Sequence, residues 1–383
     1  APSPRADSSM IFVLLLLAAL FLAWSNGAND NFKGVATLYG SATANFHRSL
    51  LWASGATGVG ALVSVSLAGA LARRFSGRGL IPEAFLDASA VTAIGLAGAL
   101  TVFLATVIGM PTSTTHALSG ALAGVGLTAA GLGQVDWAAF GGKFATPLLV
   151  SPVLAIGATA AVYPLLRRAR QRLGVERQTC LCVGDGGQRL VPLAGGAAAI
   201  SGAVSPQLVL ADGARCVERY QGRFVGIEAQ KAVDLAHYLS AGAVCFARAV
   251  NDTPKIAALL LAATGLGLPD LGRTGVLLVA VTMTAGGLLQ SRRVAETMSR
   301  RITDLNPGQG LTANLATAGL VLGASRLGLP VSTTHVSCGT IFGIGLVNRR
   351  ASGRTILQIL LTWVTTLPLG FLLGAGIYLL LAA

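Results

Sequence analysis

Charge is scarce in this chain. Asp, Glu, Lys and Arg make up 11% of its 383 residues, less than half of the roughly 25% carried by soluble domains. There is too little polar surface to wrap an oily core in water, so a soluble globular protein and a disordered chain are both excluded. Acidic residues are the scarcer sign, 15 against 28 Lys and Arg. The five cysteines, Cys180, Cys182, Cys216, Cys245 and Cys338, form an odd, scattered set, which excludes a disulfide framework. Cys180-Leu-Cys182 is also too tightly spaced for a usual zinc site. There is no Gly-rich loop ending in Gly-Lys-Ser/Thr, no His-Glu-x-x-His and no Gly-x-Ser-x-Gly, so an ATP-driven pump and the common hydrolases lack their machinery. No metal site and no cofactor site is expected, and the chain is not expected to be an enzyme.

What is abundant is apolar. Hydrophobic residues reach 53%, with 49 glycines and a mean hydropathy of +0.68. The fold class this implies is an all-α polytopic membrane protein, since long apolar runs do not suit the short alternating strands of a barrel. The net charge of +13 does not point to nucleic acid. The cations sit in short runs between apolar segments, Arg73-Arg74, Arg167-Arg168, Arg292-Arg293, Arg300-Arg301 and Arg349-Arg350, the pattern of cytoplasmic loops. A multi-pass protein of the cell membrane, with a bacterial inner membrane as its expected setting, is the reading. Met10 is a candidate native start, and the apolar run that follows reads as a first membrane segment rather than a cleaved leader.

About 12 apolar segments can be drawn: 10–25, 28–44, 49–72, 89–109, 113–131 and 139–165, then 233–250, 252–267, 274–290, 311–326, 332–347 and 355–382. Those at 49–72, 89–109, 139–165 and 355–382 are long enough to span a bilayer. Those at 28–44, 113–131, 252–267 and 332–347 are short and open on polar residues, which suits broken or re-entrant helices. The divisions are 10–165, an N-terminal transmembrane repeat, 166–230, a soluble linker or small β-rich cytoplasmic insert, and 231–383, a C-terminal transmembrane repeat.

Two motifs recur in the same order. Asn29-Asp30-x-x-Lys33 returns as Asn251-Asp252-x-x-Lys255, 222 residues later, and Pro111-x-Ser113-Thr114-Thr115-His116 returns as Pro330-x-Ser332-Thr333-Thr334-His335, 219 residues later. Gly120, Gly124 and Gly126 pair with Gly339, Gly343 and Gly345 and are expected to pack helices closely. Paired, interrupted segments in two repeats point to the midplane site of a secondary transporter.

The chemistry follows from residue type. A carboxylate and an ammonium in an apolar region are costly and mark a functional site, and a spacing of three puts them on one helix face. The plainer readings are an ion pair that only fixes packing, or a helix N-cap. The Ser-Thr-Thr stretches, with Pro expected at the first helical position, read as helix starts whose amides and hydroxyls can hold an anion; their hydroxyl oxygens also suit Na⁺. His116 and His335 are expected to hold neighbouring helix ends. A channel would need a continuous polar pore, which two repeated clusters do not provide, and an enzyme would need more than the Ser and His of each motif.

Together, Asn26-Gly-Ala-Asn29-Asp30, Asn251-Asp252 and the two Ser-Thr-Thr-His motifs resemble those of the inorganic phosphate transporter (PiT) family, across all but the 166–230 insert. The resemblance implies two inverted repeats, a phosphate site at their interface, co-transport of H⁺ or Na⁺ and a homodimer. It carries substrate or ion binding to Asn29, Asp30, Ser113, Thr114, Thr115, Asn251, Asp252, Ser332, Thr333 and Thr334. Lys33 and Lys255 depart from the family's usual Asn-Asp continuation. Each can supply the fixed positive charge that Na⁺ would otherwise bring, so H⁺ coupling is favoured over Na⁺. Asp30 and Asp252 beside a protonated anion favour phosphate; sulfate is the alternative substrate.

Overall fold

Polar side chains share the interior of this molecule with apolar ones, and large apolar side chains also cover its outside. Ser, Thr and Asn fill much of the buried interior, whereas Leu380 is 80% exposed, Leu289 74% and Leu149 71%. In water so much exposed Leu and Val would be an aggregation surface; against lipid tails it is the matching one. The computed structural model describes residues 4–67, 75, 80–172, 176–178, 191–192, 198–199, 219–221, 223–224, 227–265, 271–329 and 331–383.

The membrane part is helical. The first half of the chain forms α1 (Pro4–Asp30), α2 (Ala36–Gly40), α3 (Phe46–Leu67), α4 (Ala88–Val107), α5 (Thr114–Ala130), α6 (Trp137–Phe140) and α7 (Thr146–Arg172). The second half forms α8 (Ala229–Gly265), α9 (Gly272–Gln290), α10 (Arg292–Glu296), α11 (Pro307–Arg326), α12 (Thr333–Asn348) and α13 (Gly353–Ala382). Five described stretches are long and apolar enough to cross a membrane: Met10–Lys33, Ala88–Val107, Thr146–Ala169, Gly272–Gln290 and Gly353–Ala382. The expected 49–72 span is not among them, although α3 covers most of it.

Two of the expected segment boundaries are corrected. α1 runs on through Asn26 and Asn29 and gives way only to a 3₁₀ turn at Asn31–Lys33. In the second half there is no break, since α8 continues through Asn251, Asp252 and Pro254 for 37 residues. Asn251 and Asp252 are therefore mid-helix. Pro254 leaves the carbonyl of Val250 without its helical donor, yet the helix continues through it.

The short helices α5 and α12 start where the Ser-Thr-Thr motifs predict, with a difference at Pro. Ser113 and Ser332 are the N-caps and accept from the amides of His116 and His335, both at 3.1 Å. Pro111 lies two residues before its cap rather than at the first helical position. Upstream, Gly109 (φ 75°) and Gly328 (φ 67°) turn the chain through the left-handed region. The amide of Met110 closes back on the Ala105 carbonyl at 2.9 Å and that of Leu329 on Ala324 at 2.8 Å, the bond that ends a helix on a left-handed residue.

Packing exchanges the two halves of the chain. α5 lies against α13 and α12 against α7; α1 lies against α9 and α8 against α3. Within each half, α1 packs on α4 and α8 on α11. Glycine makes the first of these crossings close. A Cβ on Gly120 or Gly124 of α5 would run into the carbonyls of Leu367 and Phe371, and one on Gly370 or Gly374 of α13 into the backbone of Ala117 and Ala121. Gly339 and Gly343 meet Pro152, Ala155 and Ile156 of α7 in the same way.

Around the 166–230 stretch, α7 carries helix through Arg172 and α8 begins at Ala229. Between them three antiparallel pairs are described: Glu176–Gln178 with Arg219–Gln221, Val191–Pro192 with Ala198–Ala199, and Arg223–Phe224 with Ile227–Glu228. Most of the expected β-rich insert, including Cys180 and Cys182, lies outside the described residues.

A side chain at Gly124 must push α5 off α13. Gly124→Val is expected to cost about 1–3 kcal/mol of stability as an overpacked contact. Gly157→Ala on α7, where a Cβ meets open space, is expected to leave the melting temperature unchanged. Thermal unfolding of the purified variants in detergent checks both.

Candidate functional site

A lysine ammonium has three N–H donors and no acceptor, and burying it is costly unless all three are used. Lys33 uses them on the carboxylate of Asp30, on the Thr112 carbonyl at 2.8 Å and on the Thr334 hydroxyl. Lys255 uses them on Asp252 at 3.1 Å, on the Val331 carbonyl at 3.2 Å and on the Thr115 hydroxyl at 2.7 Å. The two sets match atom for atom across the repeat. Each lysine takes its carboxylate and carbonyl from its own half and its hydroxyl from the other. The threonines complete the crossing, as Thr115 donates to the Val331 carbonyl at 3.3 Å and Thr334 to the Thr112 carbonyl.

The asparagines hold the helix starts in place. Asn29 donates to the Thr106 hydroxyl and the Met110 carbonyl, both at 3.0 Å, and accepts from the Thr112 amide at 3.0 Å. Asn251 donates to the Asp252 carboxylate at 3.0 Å and the Val331 carbonyl at 3.3 Å, and accepts from Ser325 at 3.2 Å. The N-cap reading of Asn and Asp is thereby corrected. Asp30 makes no capping bond, because its carboxylate is taken by Lys33.

All twelve residues expected at the site are buried, and the structure draws them into one region. Thr114 accepts from Asn26 at 2.9 Å and Thr333 donates to Asp252 at 3.3 Å. Ser113 and Ser332 serve as caps. The first amides of α5 and α12 carry the free N–H groups common to every helix start. Neutral donors, two carboxylates and two ammoniums therefore meet where α1, α5, α8 and α12 converge.

Two further residues belong here: Asn26, which entered the motif that carries the resemblance but not the expected site, and Arg248, which entered neither. The Asn26 side chain lies 3.3 Å from Asp30 and 3.4 Å from Asp252, joining the two halves. Arg248 is 1% exposed and donates to Asn26 at 3.0 Å and to Thr57 at 2.9 Å. The signal was present, because 26 and 248 stand at the same offset of 222 as the Asn-Asp motifs. Applied one turn upstream, that offset pairs Asn26 with a charged residue in an apolar segment.

The rings of His116 and His335 lie with centroids 4.5 Å apart and their planes tilted by 54°. His335 meets the Leu148 carbonyl at 3.1 Å and lies 4.0 Å from the Trp363 ring, whose indole N–H donates to the Pro111 carbonyl at 3.2 Å. Among the described residues no cluster of His, Cys, Asp or Glu is set to hold a metal ion.

Each Asp–Lys pair is predicted to act as a unit. Lys255→Met leaves the Asp252 charge buried without its partner and is expected to cost about 3–5 kcal/mol. Adding Asp252→Asn is expected to restore most of that loss. Thermal unfolding of both singles and the double provides the cycle, and purely additive losses would show that the two residues are not coupled.

The profile of the phosphate transporter family matches residues 26–374. A chloroplastic inorganic phosphate transporter of Arabidopsis thaliana is 26% identical over 93% of this chain and 69% of its own length. A probable low-affinity inorganic phosphate transporter of Bacillus subtilis is 24% identical, with 97% of each chain covered. A putative phosphate permease of Haemophilus influenzae is 27% identical over 91% of each. A solved sodium-dependent phosphate transporter superposes with a TM-score of 0.74 over 97% of this chain and 99% of its own, at 19% identity, which is likeness of fold. The family profile spans both Asn-Asp-x-x-Lys motifs and both Ser-Thr-Thr helix starts, the same elements that the structure gathers into one buried network, and the chain belongs to the phosphate transporter family.

Proposed function

We propose that this chain is a secondary transporter of inorganic phosphate, coupled to H⁺ rather than Na⁺, which holds the anion between two inverted repeats and works by alternating access. One observation carries the reading: each buried lysine is shared between a carboxylate of its own half and a threonine of the other. An anion arriving at the starts of α5 and α12 competes with the Thr334 and Thr115 oxygens for the lysine N–H donors, and with the Thr112 and Val331 carbonyls for the threonine O–H groups. Loosening Lys33 from Thr334, or Lys255 from Thr115, loosens one half from the other. Binding and the change of access thus act on the same bonds.

The choice of coupling ion rests on the lysines. Na⁺ in such a site needs oxygen ligands that are free to turn to it. Asp30 and Asp252 are already engaged by ammoniums at close range, so the positive charge that Na⁺ would bring is built in. The relatives are named as phosphate transporters and permeases, and nothing on the site favours the sulfate alternative. The division into repeats at 10–165 and 231–383, the twelve residues as substrate and ion ligands, the homodimer and a bacterial inner membrane belong to the same proposal.

Uptake of radiolabelled phosphate into proteoliposomes, with Na⁺ and proton gradients imposed separately, tests the coupling. A proton gradient directed inward is expected to drive accumulation without Na⁺; strict dependence on Na⁺ with no response to the pH gradient would refute H⁺ coupling. Thr115→Val and Thr334→Val remove corresponding hydroxyls, and each is expected to lower uptake by about tenfold, the loss of one hydrogen bond to a charged group. A large effect from one threonine and none from the other would argue against a shared, two-sided site.

A further inference from the structure

Five charged side chains are buried among the described residues: Asp30, Lys33, Arg248, Asp252 and Lys255. Each Asp–Lys pair is neutral wherever its proton resides, whether as carboxylate with ammonium or as acid with amine. The lysines therefore add no net charge. Arg248 is what remains, and a guanidinium does not give up its proton inside a protein.

Its surroundings do not neutralise it. One terminal nitrogen donates to the Asn26 amide oxygen at 3.0 Å and approaches the Met283 sulfur at 3.7 Å; the other donates to the Thr57 hydroxyl at 2.9 Å. These acceptors carry no charge. Its Nε is buried with no partner, and among the described residues no carboxylate pairs with it. Burying a cation without a counter-charge is strongly unfavourable. The cluster thus has a standing demand for one negative charge.

The charge is also placed to act on the site. Arg248 holds the oxygen end of Asn26, so the nitrogen end of that amide is turned towards Thr114 at 2.9 Å and towards both carboxylates. The repeat is asymmetric at this point, with an amide in one half and a guanidinium in the other. The positive charge is consequently single and shared by both halves.

We infer that Arg248 is a specificity-determining and positioning residue for the transported anion: it supplies the one net positive charge that a bound tetrahedral oxyanion neutralises, and it orients Asn26 towards the site. This rests on the transport reading above. The test is uptake of inorganic phosphate by proteoliposomes holding the full chain, with KM and Vmax resolved. Arg248→Gln is expected to raise KM by about tenfold or more, with Vmax changed by less than about threefold. Arg248→Lys keeps the charge and is expected to return KM to within about threefold of the parent. Asn26→Asp sets a carboxylate against the guanidinium and is expected to raise KM as Arg248→Gln does.

A merely structural arginine would act differently. An unchanged KM in Arg248→Gln with Vmax lost, or Arg248→Lys no better than Arg248→Gln, overturns the inference. If Arg248→Gln does not fold, Asn26→Asp decides the matter, and a parental KM in that variant overturns it. A parent chain that takes up no phosphate overturns the transport reading and this inference together; uptake by the parent with KM unmoved in the variants overturns this inference alone.

Discussion

An ammonium sunk in a lipid-spanning core must satisfy three donors at once, and here the third acceptor comes from the opposite half of the chain. Much of the interior follows from that requirement. Thr334 can reach Lys33, and Thr115 can reach Lys255, only if α5 and α12 begin close to the ends of the Asn-Asp segments. Their starts are fixed by the serine caps, by the left-handed turns at Gly109 and Gly328, and by Asn29 and Asn251 gripping the loops before them. The glycines of α5, α12 and α13 then let neighbouring backbones close around the cluster. Away from water, charge–charge attraction is many times stronger than at a surface, so small displacements of these helix starts change large energies.

Much of this could be read from the chain. The repeat offset identified the two motifs, the Ser-Thr-Thr runs gave the helix starts, and four of the six spaced glycines gave close crossings, while Gly126 and Gly345 meet the loop residues Ile81, Val135, Thr303 and Ala351 instead. What escaped was tertiary. Hydropathy places a boundary between 25 and 28 because Ser25 and Asn26 are polar, yet those side chains point inwards and the helix passes through them. Mid-helix Asn251 and Asp252 look like a break for the same reason. Pro111 was expected at the first helical position but lies three residues before it, because the extended approach to a cap resembles a first turn in sequence.

Arg248 illustrates the other limit. Its distance from Asn26 is written in the repeat, but an arginine in a chain already rich in arginine attracts no notice as a composition. Only burial separates it from the exposed basic runs: Arg248 is enclosed and bonded to Asn26 and Thr57, while Arg292 lies at the surface beside Glu296. The two halves also handle their Asn-Asp motifs differently, one with a 3₁₀ turn and one with an unbroken helix. Equal lysine hydrogen-bond sets are thus reached from unequal backbones, whereas the asparagines of the two motifs take different partners.

The exchange of partners, with α5 on α13, α12 on α7, α1 on α9 and α8 on α3, bears on how such a molecule can have arisen. Either half by itself would present bare glycine faces and unanswered lysines to the bilayer. A single-copy ancestor could have escaped that fate only by clasping a second molecule of its own kind. Joining two such molecules end to end would have made the clasp permanent, and left one side free to trade an amide for a guanidinium.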